Sequence, residues 1–568
     1  MAEHKDLEKH NNTESGLRIG LGLSGGGFRA SIFHLGVILR LEELGIMPRV
    51  NVISSVSGGS IIAAYYVIEM ERRLRAKRDE LKAGRPLMDV RVEIFKEIAA
   101  DFFRATDHNL RSRALVFSPF YHPLSTLKML RTRYNRSDVM QAEYDRWFYR
   151  KNTLDQLPSV ASAGKVGVNS HLAGPKLLLN TASLLTGKRV SFSREPISGA
   201  KELSRVDKNV LPLSRIVGAS AGVPVLFPPT YVSGDMLVDG GVTDNQGLEA
   251  LWEENCDILL ISDASGQMEQ VHRMSSRGIG VLSRTNSIFQ FQIREKLIDQ
   301  LILWRDKYVN RRSFAFVHLH LNLKDRSGVE YRVPSEYIAG LARIRTDLDQ
   351  FSFVEREALM YHGYTLIDGQ LRKYCQNLIK GTEGTESSGR EPDRLGVPPL
   401  FERRAGDQNA DEMLEKREEI KKILNAGSQS SFILRAIRRY RLKAVSVIAL
   451  TWAIPLLLFF TLVYRHIDRF AEKVIQKMLG PWFDCLMPGW LGWILPHLKG
   501  YAAWPVTLKG LTVIITFLLL GYLLIFLTYL IMRRSVRLWN LATYRSLTGG
   551  SDPGVVWAKR DKAGQGRD

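Results

Sequence analysis

Ser57 stands in the stretch Val50-Asn51-Val52-Ile53-Ser54-Ser55-Val56-Ser57-Gly58-Gly59-Ser60, after an apolar run and before a helical pattern through Ile61, Ile62, Ala63, Tyr65 and Tyr66. A serine at a turn from strand to helix exposes its hydroxyl beside the first-turn amides of the helix, the setting of a nucleophile in acyl transfer. Small residues two positions to either side, Ser55 and Gly59, let such a turn pass close to its neighbours. The hydroxyl also needs a base and donors for a developing oxyanion. Asp239 is the base candidate: it ends the apolar run Met236-Leu237-Val238 and precedes Gly240-Gly241, which leaves its carboxylate open at a strand end. Asp235 and Asp244 are rivals without that setting. Gly25, Gly26 and Gly27 can present backbone N–H groups near Ser57, because glycine permits the φ values and the close approach required. His34 falls inside an apolar helical run and reads as core, which leaves a Ser57/Asp239 dyad rather than a triad.

Two other patterns compete for attention. Gly20-Leu21-Gly22-Leu23-Ser24-Gly25 spells G-x-G-x-x-G, with Glu42 and Glu43 about 20 residues on. A dinucleotide site would place the glycines after the strand, whereas here two interrupt it and both acids precede the next strand. Gly218-Ala219-Ser220-Ala221-Gly222 spells G-x-S-x-G, yet it runs into Val223-Pro224 and Pro228-Pro229, where no helix can continue. Ser220 is therefore set aside as nucleophile.

The elements that must position these groups follow from periodicity. Strands are expected at Leu17–Ser24, Val50–Ser54, Lys176–Asn180, Leu237–Asp239, Ile258–Ser262 and Phe314–Leu321, and helices from Ala30 to Leu44 and from Ser60. Strand, glycine turn, helix, strand, tight turn, helix is the pattern of an α/β sheet, whose ligands bind at the carboxyl ends of the strands. Both glycine turns fall there.

In order and spacing, Ser24-Gly25-Gly26-Gly27-Phe28-Arg29, Ser55-Val56-Ser57-Gly58-Gly59, Ala219-Ser220-Ala221-Gly222-Val223-Pro224 with Phe227-Pro228-Pro229, and Asp239-Gly240-Gly241 together resemble the patatin-like phospholipase family. The resemblance spans roughly Leu17 to Ser265. It implies a patatin-like sheet flanked by helices and a serine lipid acyl hydrolase with Ser57 as nucleophile, Asp239 as its partner and Gly25, Gly26 and Gly27 as oxyanion hole; Ser220 then belongs to a structural motif. Ser55 replaces the usual first glycine of the elbow, and Ala30 stands where a glycine often follows. The expected substrate is a phospholipid, a lysophospholipid or another acyl-ester lipid. An acyltransferase using the same dyad and a non-catalytic membrane scaffold are the alternatives.

Composition narrows the partners. The 568 residues carry 79 Lys and Arg against 59 Asp and Glu, a net charge of +20 that suits an anionic surface; with the resemblance, this points to membrane rather than nucleic acid. Cysteines at 256, 375 and 485, with no CxxC pattern, argue against a disulfide framework or a structural metal, and no cofactor is expected. The polar N-terminal residues lack the apolar stretch of a signal peptide, so a cytosolic catalytic part is expected. Two apolar runs, Ala444 to Tyr464 and Leu511 to Met532, are each long enough to cross ~30 Å of hydrocarbon. Basic flanks at Arg435 to Lys443 and Arg533 to Arg545 predict a two-span hairpin with both ends cytosolic, and tryptophans between the spans suit the headgroup zone. The expected organisation is a tail over 1–16, a catalytic domain over 17–380 with an insertion near 72–170, a polar linker over 381–431, a membrane hairpin over 432–550 and a tail over 551–568. Asp411 to Asn425 in the linker is expected to be a solvated charged helix.

Overall fold

The computed structural model describes residues 17–158, 174–197, 210–266, 278–307, 311–323, 333–380, 400–401, 410–429, 432–453, 508–548, 550 and 553, with the side chains of 279, 283, 380, 410–413, 432–433 and 508–520 excepted. The expected alternation is present: β1 (Ile19–Leu23), α1 (Gly27–Glu43), β2 (Val50–Val56) and α2 (Gly58–Ala76). They are followed by β3 (Lys176–Ser183), β4 (Arg189–Phe192), β5 (Thr230–Val232), β6 (Asp235–Asp239), β7 (Ile258–Asp263) and β8 (Ser313–His318). All form one eight-stranded sheet. β3, β2, β1, β7 and β8 run parallel, β4 and β6 pair antiparallel to β3, and β5 pairs antiparallel to β6, so the sheet is mixed.

Both faces of the parallel part are covered, as its unbroken apolar runs require. Leu21 and Leu260 face a core shared with α1, α2 and helix Phe353–Tyr374. Leu259 and Ile261 face a smaller cluster with Leu248, Leu251, Leu297 and Leu301. The insertion is partly built into this fold: helix Leu87–Thr106 buries Ile94, Phe95, Ile98 and Phe102, and Arg91 pairs with Glu42 at 2.8 Å. Glu42 is thus held by Arg91 and Tyr66, and Gly20 and Gly22 lie inside β1, which removes the dinucleotide alternative.

The pairing of β3 places the site. Val52 to Val56 of β2 pair with Lys176 to Asn180, and β6 pairs with Thr181 to Ser183. β4 meanwhile pairs with Leu179 to Ala182. A strand has two edges, so β2 and β6 share one of them in succession, β2 ending at Val56 opposite Asn180 and β6 ending at Asp239 opposite Thr181. The two strands run toward each other and stop one peptide apart on β3. Ser57 and Asp239 are the residues at that meeting point.

Helix Ala410–Ala426 covers the whole of the expected Asp411 to Asn425 span, but its apolar side is not solvated. Ile420, Ile423 and Leu424 are buried in the main core, and Arg345 donates to the Gly427 carbonyl at 3.0 Å. The chain forms two compact units, Met1–Ser430 with Tyr544–Asp568, and Ser431–Thr543. In the second unit Tyr440 donates to Asn540 Oδ1 at 2.6 Å, and its ring lies 4.9 Å from that of Trp539 at a tilt of 52°.

The two-span hairpin is not seen: among the described residues no helix is long and apolar enough to cross a membrane. The run from Ala444 is described only to Ala453, and the tryptophan-rich segment lies outside the described residues. The run from Leu511 lies in helix Leu508–Thr548, which continues into Arg533, Arg534 and Arg537.

The packing of helix Ala410–Ala426 is open to a direct check. Leu424→Ala should lower stability by about 2–4 kcal/mol in denaturant unfolding, the range for a buried leucine, whereas Leu414→Ala, at 58% exposure, should change it little. Equal small effects would return this helix to a solvated linker.

Candidate active site

The turn from β2 to α2 puts Ser57 at φ 51° and ψ −117°, a left-handed conformation that a residue with a side chain adopts only under constraint. The constraint is close backbone packing. A Cβ on Gly58 would lie 2.1 Å from the Gly27 carbonyl oxygen, and one on Gly59 would lie 2.2 Å from that of Leu23. Only glycine fits at either position, so α2 begins pressed against the β1–α1 turn, and Ser57 takes the strain.

Asp239 arrives from β6. Its N–H donates to the Gly222 carbonyl at 3.0 Å, and its Oδ1 accepts the Gly241 N–H at 2.8 Å. The Ser57 hydroxyl donates to the same carboxylate. Burial raises the Asp239 pKa to about 6, and the hydrogen bonds from Ser57 and Gly241 pull against that rise. A carboxylate so placed is ionised at neutral pH yet is a stronger base than an exposed aspartate. The rivals are committed elsewhere. Asp244 accepts the N–H groups of Gln246, Gly247 and Glu249, and Asp235 accepts the Ser183 hydroxyl and the Met236 N–H.

The three glycines divide. The Gly25 N–H donates to the Asn245 carbonyl at 3.2 Å and so is already engaged, although a Cβ there would come within 3.0 Å of the Ser57 Cβ. Gly26 and Gly27 hold φ 139° and φ 59° at the start of α1. Among the described residues, no hydrogen bond occupies their N–H groups or that of Gly58. Gly58, which sequence reading did not single out as a donor, follows the nucleophile candidate directly, and the N–H after a nucleophile is a recurrent oxyanion donor.

Ser220 serves the backbone. It ends helix Leu213–Ser220, accepts the Ser57 N–H at 3.0 Å and donates to the Asn180 carbonyl at 2.6 Å. Its hydroxyl thus bridges the gap in the ladder where β2 stops and β6 has not yet begun. Ser60 lies 2.9 Å from it and donates to Ser55 at 3.1 Å, while Ser55 donates to the Leu178 carbonyl at 3.1 Å. These bonds give the serine at 55 a task that glycine could not perform. His34, bonded to Ser262 at 2.7 Å and to the Ser24 carbonyl at 2.9 Å, is buried and its pKa falls to about 4, as a core histidine's would. Arg29 ties the carbonyls of Ala342, Ile344 and Ala264 beneath the glycine turn. Tyr144, also not anticipated, is buried within reach of the Asp239 charge, and its hydroxyl has no partner among the described residues.

Residues 21–252 match the patatin-like phospholipase family. No curated protein matches the chain in sequence. Among solved structures, the chain is similar to human GIVD cytosolic phospholipase A2 at 12% identity and a TM-score of 0.39, covering 64% of this chain and 59% of that one. VipD from Legionella pneumophila is 14% identical with a TM-score of 0.28, over 98% of this chain and 94% of that one. Full-length ExoU from Pseudomonas aeruginosa, in complex with SpcU, is 13% identical with a TM-score of 0.17, over 76% of this chain and 89% of that one. The chain therefore spans less than two thirds of the human enzyme, and likeness at this level transfers no residue's role. The family match thus covers residues 21–252, the part of the chain that holds both Ser57 and Asp239.

Proposed function

We propose that the chain is a serine lipid acyl hydrolase acting on phospholipid or lysophospholipid esters through Ser57 and Asp239. One observation carries this reading: the Ser57 hydroxyl, held in a strained turn, donates to a buried carboxylate whose pKa is raised to about 6. Ser57 Oγ attacks the ester carbonyl as its proton passes to Asp239. The carbonyl oxygen becomes an oxyanion facing the N–H groups of Gly26, Gly27 and Gly58, fixed donors that need no reorganisation as charge develops. Collapse expels the alcohol, which takes the proton from Asp239 and leaves an acyl-serine. Water then repeats the sequence, its proton going to Asp239, and releases the fatty acid and the free serine. A fluorophosphonate probe should label the wild type and not Ser57→Ala; lipid extracts analysed by mass spectrometry after incubation would name the ester. Equal labelling of both proteins would remove Ser57 from the reaction.

Membrane attachment belongs to the same proposal and is supported by the sequence. The apolar runs Ala444 to Tyr464 and Leu511 to Met532, with their basic flanks, would keep the domain beside a substrate that is scarce in water. Reporter fusions at residue 380, at residue 490 and at the C-terminus should read cytosolic, opposite side and cytosolic. An outward reading at either end would exclude the hairpin, and a cytosolic reading at 490 would indicate interfacial helices.

Asp239→Asn should lower kcat on a short soluble ester by roughly 10²–10⁴-fold, the usual share of general-base catalysis, while the protein stays folded. In the wild type the base works only when ionised, so kcat/KM should rise with pH through a midpoint of about 6 and level off above it. The residual rate of the variant should lack that rise.

Ser220→Ala removes the acceptor for the Ser57 N–H and the donor to Asn180 together. It should cost about 1–3 kcal/mol of stability in denaturant unfolding, as for a buried polar group left unpaired, and reduce turnover far less than Ser57→Ala. A reversed order of activity loss would make Ser220 the nucleophile.

A further inference from the structure

Helix Pro123–Arg131, on the insertion, buries none of its residues. Leu124, Leu127 and Leu130 recur every three residues along it and are all exposed, Leu130 by 80%. Isolated exposed leucines are ordinary, but three on one short helix form an apolar row. Val225 and Leu226, on a loop that borders the same helix at Met129, are exposed by 76% and 52%. Val225 holds φ 74°, an uncommon conformation for a β-branched residue, and in it the side chain points to solvent rather than into the fold. The two segments are joined, since Ser137 Oγ donates to the Pro228 carbonyl at 2.5 Å and Met129, Tyr134, Val225 and Leu226 line one open depression of about 580 Å³.

The charge around this patch selects its occupant. Lys128, Arg131, Arg133 and Arg136 are exposed beside the leucines, and no acidic residue occurs between Pro123 and Ser137. Apolar side chains ringed by lysine and arginine suit an anionic bilayer surface, where leucines enter the acyl boundary and the basic groups meet phosphates. A protein partner would need complementary acids and a shaped apolar insert, and nothing in the patch asks for either. Its position ties it to the proposed reaction: Val225 lies three residues after Gly222, whose carbonyl takes the Asp239 N–H.

We infer that helix Pro123–Arg131 and the loop Val223–Pro228 form a lipid-docking face that seats the domain on anionic phospholipid at the rim of the Ser57–Asp239 site. This deepens the proposed function, on which it rests for the link to turnover, and its binding test stands apart from catalysis. In the full chain, an environment-sensitive fluorophore would be attached at Leu130→Cys in a Cys485→Ser background, the other two cysteines being buried. Vesicles of phosphatidylcholine mixed with phosphatidylglycerol should shift its emission to the blue and raise its intensity several-fold, less with phosphatidylcholine alone and less as salt rises. A probe at this one position reports local immersion whether or not the C-terminal runs also hold the chain to lipid. Unchanged emission on the mixed vesicles would overturn the proposal, as would the same shift on raising protein concentration without vesicles, which would assign the face to a second copy. In parallel, Leu124→Asp/Leu130→Asp should lower hydrolysis of the mixed vesicles by about tenfold or more, given the transfer energy of two leucines, and leave a soluble short ester unaffected. Equal loss on both substrates, or loss on neither, would count against the docking face; a wild type that cleaves neither ester would defeat the proposed function while the fluorescence still decides the docking.

Discussion

The site depends on two strands that meet end to end on the same edge of a third. β2 leaves β3 at Asn180 and β6 joins it at Thr181, so the residues at the two loose ends, Ser57 and Asp239, are forced together by the ladder itself. A parallel strand meeting an antiparallel one in this way leaves a gap of backbone groups that neither can satisfy. The Ser220 hydroxyl closes it by passing a hydrogen bond from the Ser57 amide to the Asn180 carbonyl. Buried backbone groups are expensive to leave unpaired, so this hydroxyl is as necessary to the geometry as the strands are.

Everything else near the site follows from how closely the chain is packed around that junction. Gly58 and Gly59 allow α2 to start against the backbone of β1 and its turn, and the contact holds Ser57 in its left-handed conformation. The same closeness excludes water from Asp239, which raises its pKa, while the Ser57 hydroxyl and the Gly241 amide keep enough polarity at hand for the ionised form to exist. Burial and hydrogen bonding thus oppose each other at one carboxylate, and their balance sets its basicity near neutrality.

How much of this was legible depended on whether the signal was local. Ser57 and Asp239 stand out as candidates in the sequence because each sits at the end of an apolar run and before glycine, a pattern confined to a few residues. The engagement of the Gly25 amide could not, since its acceptor, Asn245, comes from a distant part of the sequence. Ser220 was separable from a nucleophile by the prolines that follow it, but its place in the ladder required knowing that β2 and β6 share an edge. Strands β4 and β5 are too short to show alternation, and the charges of helix Ala410–Ala426 hide the narrow stripe of Ile420, Ile423 and Leu424 that joins the core. The membrane hairpin was read from hydropathy; its first run is described only to Ala453, and its second lies in helix Leu508–Thr548, which runs on into Arg533, Arg534 and Arg537.

The separation of Ser57 from Asp239 is measured by a single peptide step of β3, not by the long chain that joins them. Apart from β3 and Ser220, the exposed parts of that chain can lengthen, shorten or change their surface without altering the distance between the two groups. Helices Leu87–Thr106 and Pro123–Arg131 both lie in this interval, the first buried against the core and the second on the outside. The fold therefore uncouples the junction from what the intervening surface touches, and that surface is free to diverge while the placement of Ser57 against Asp239 stays constant.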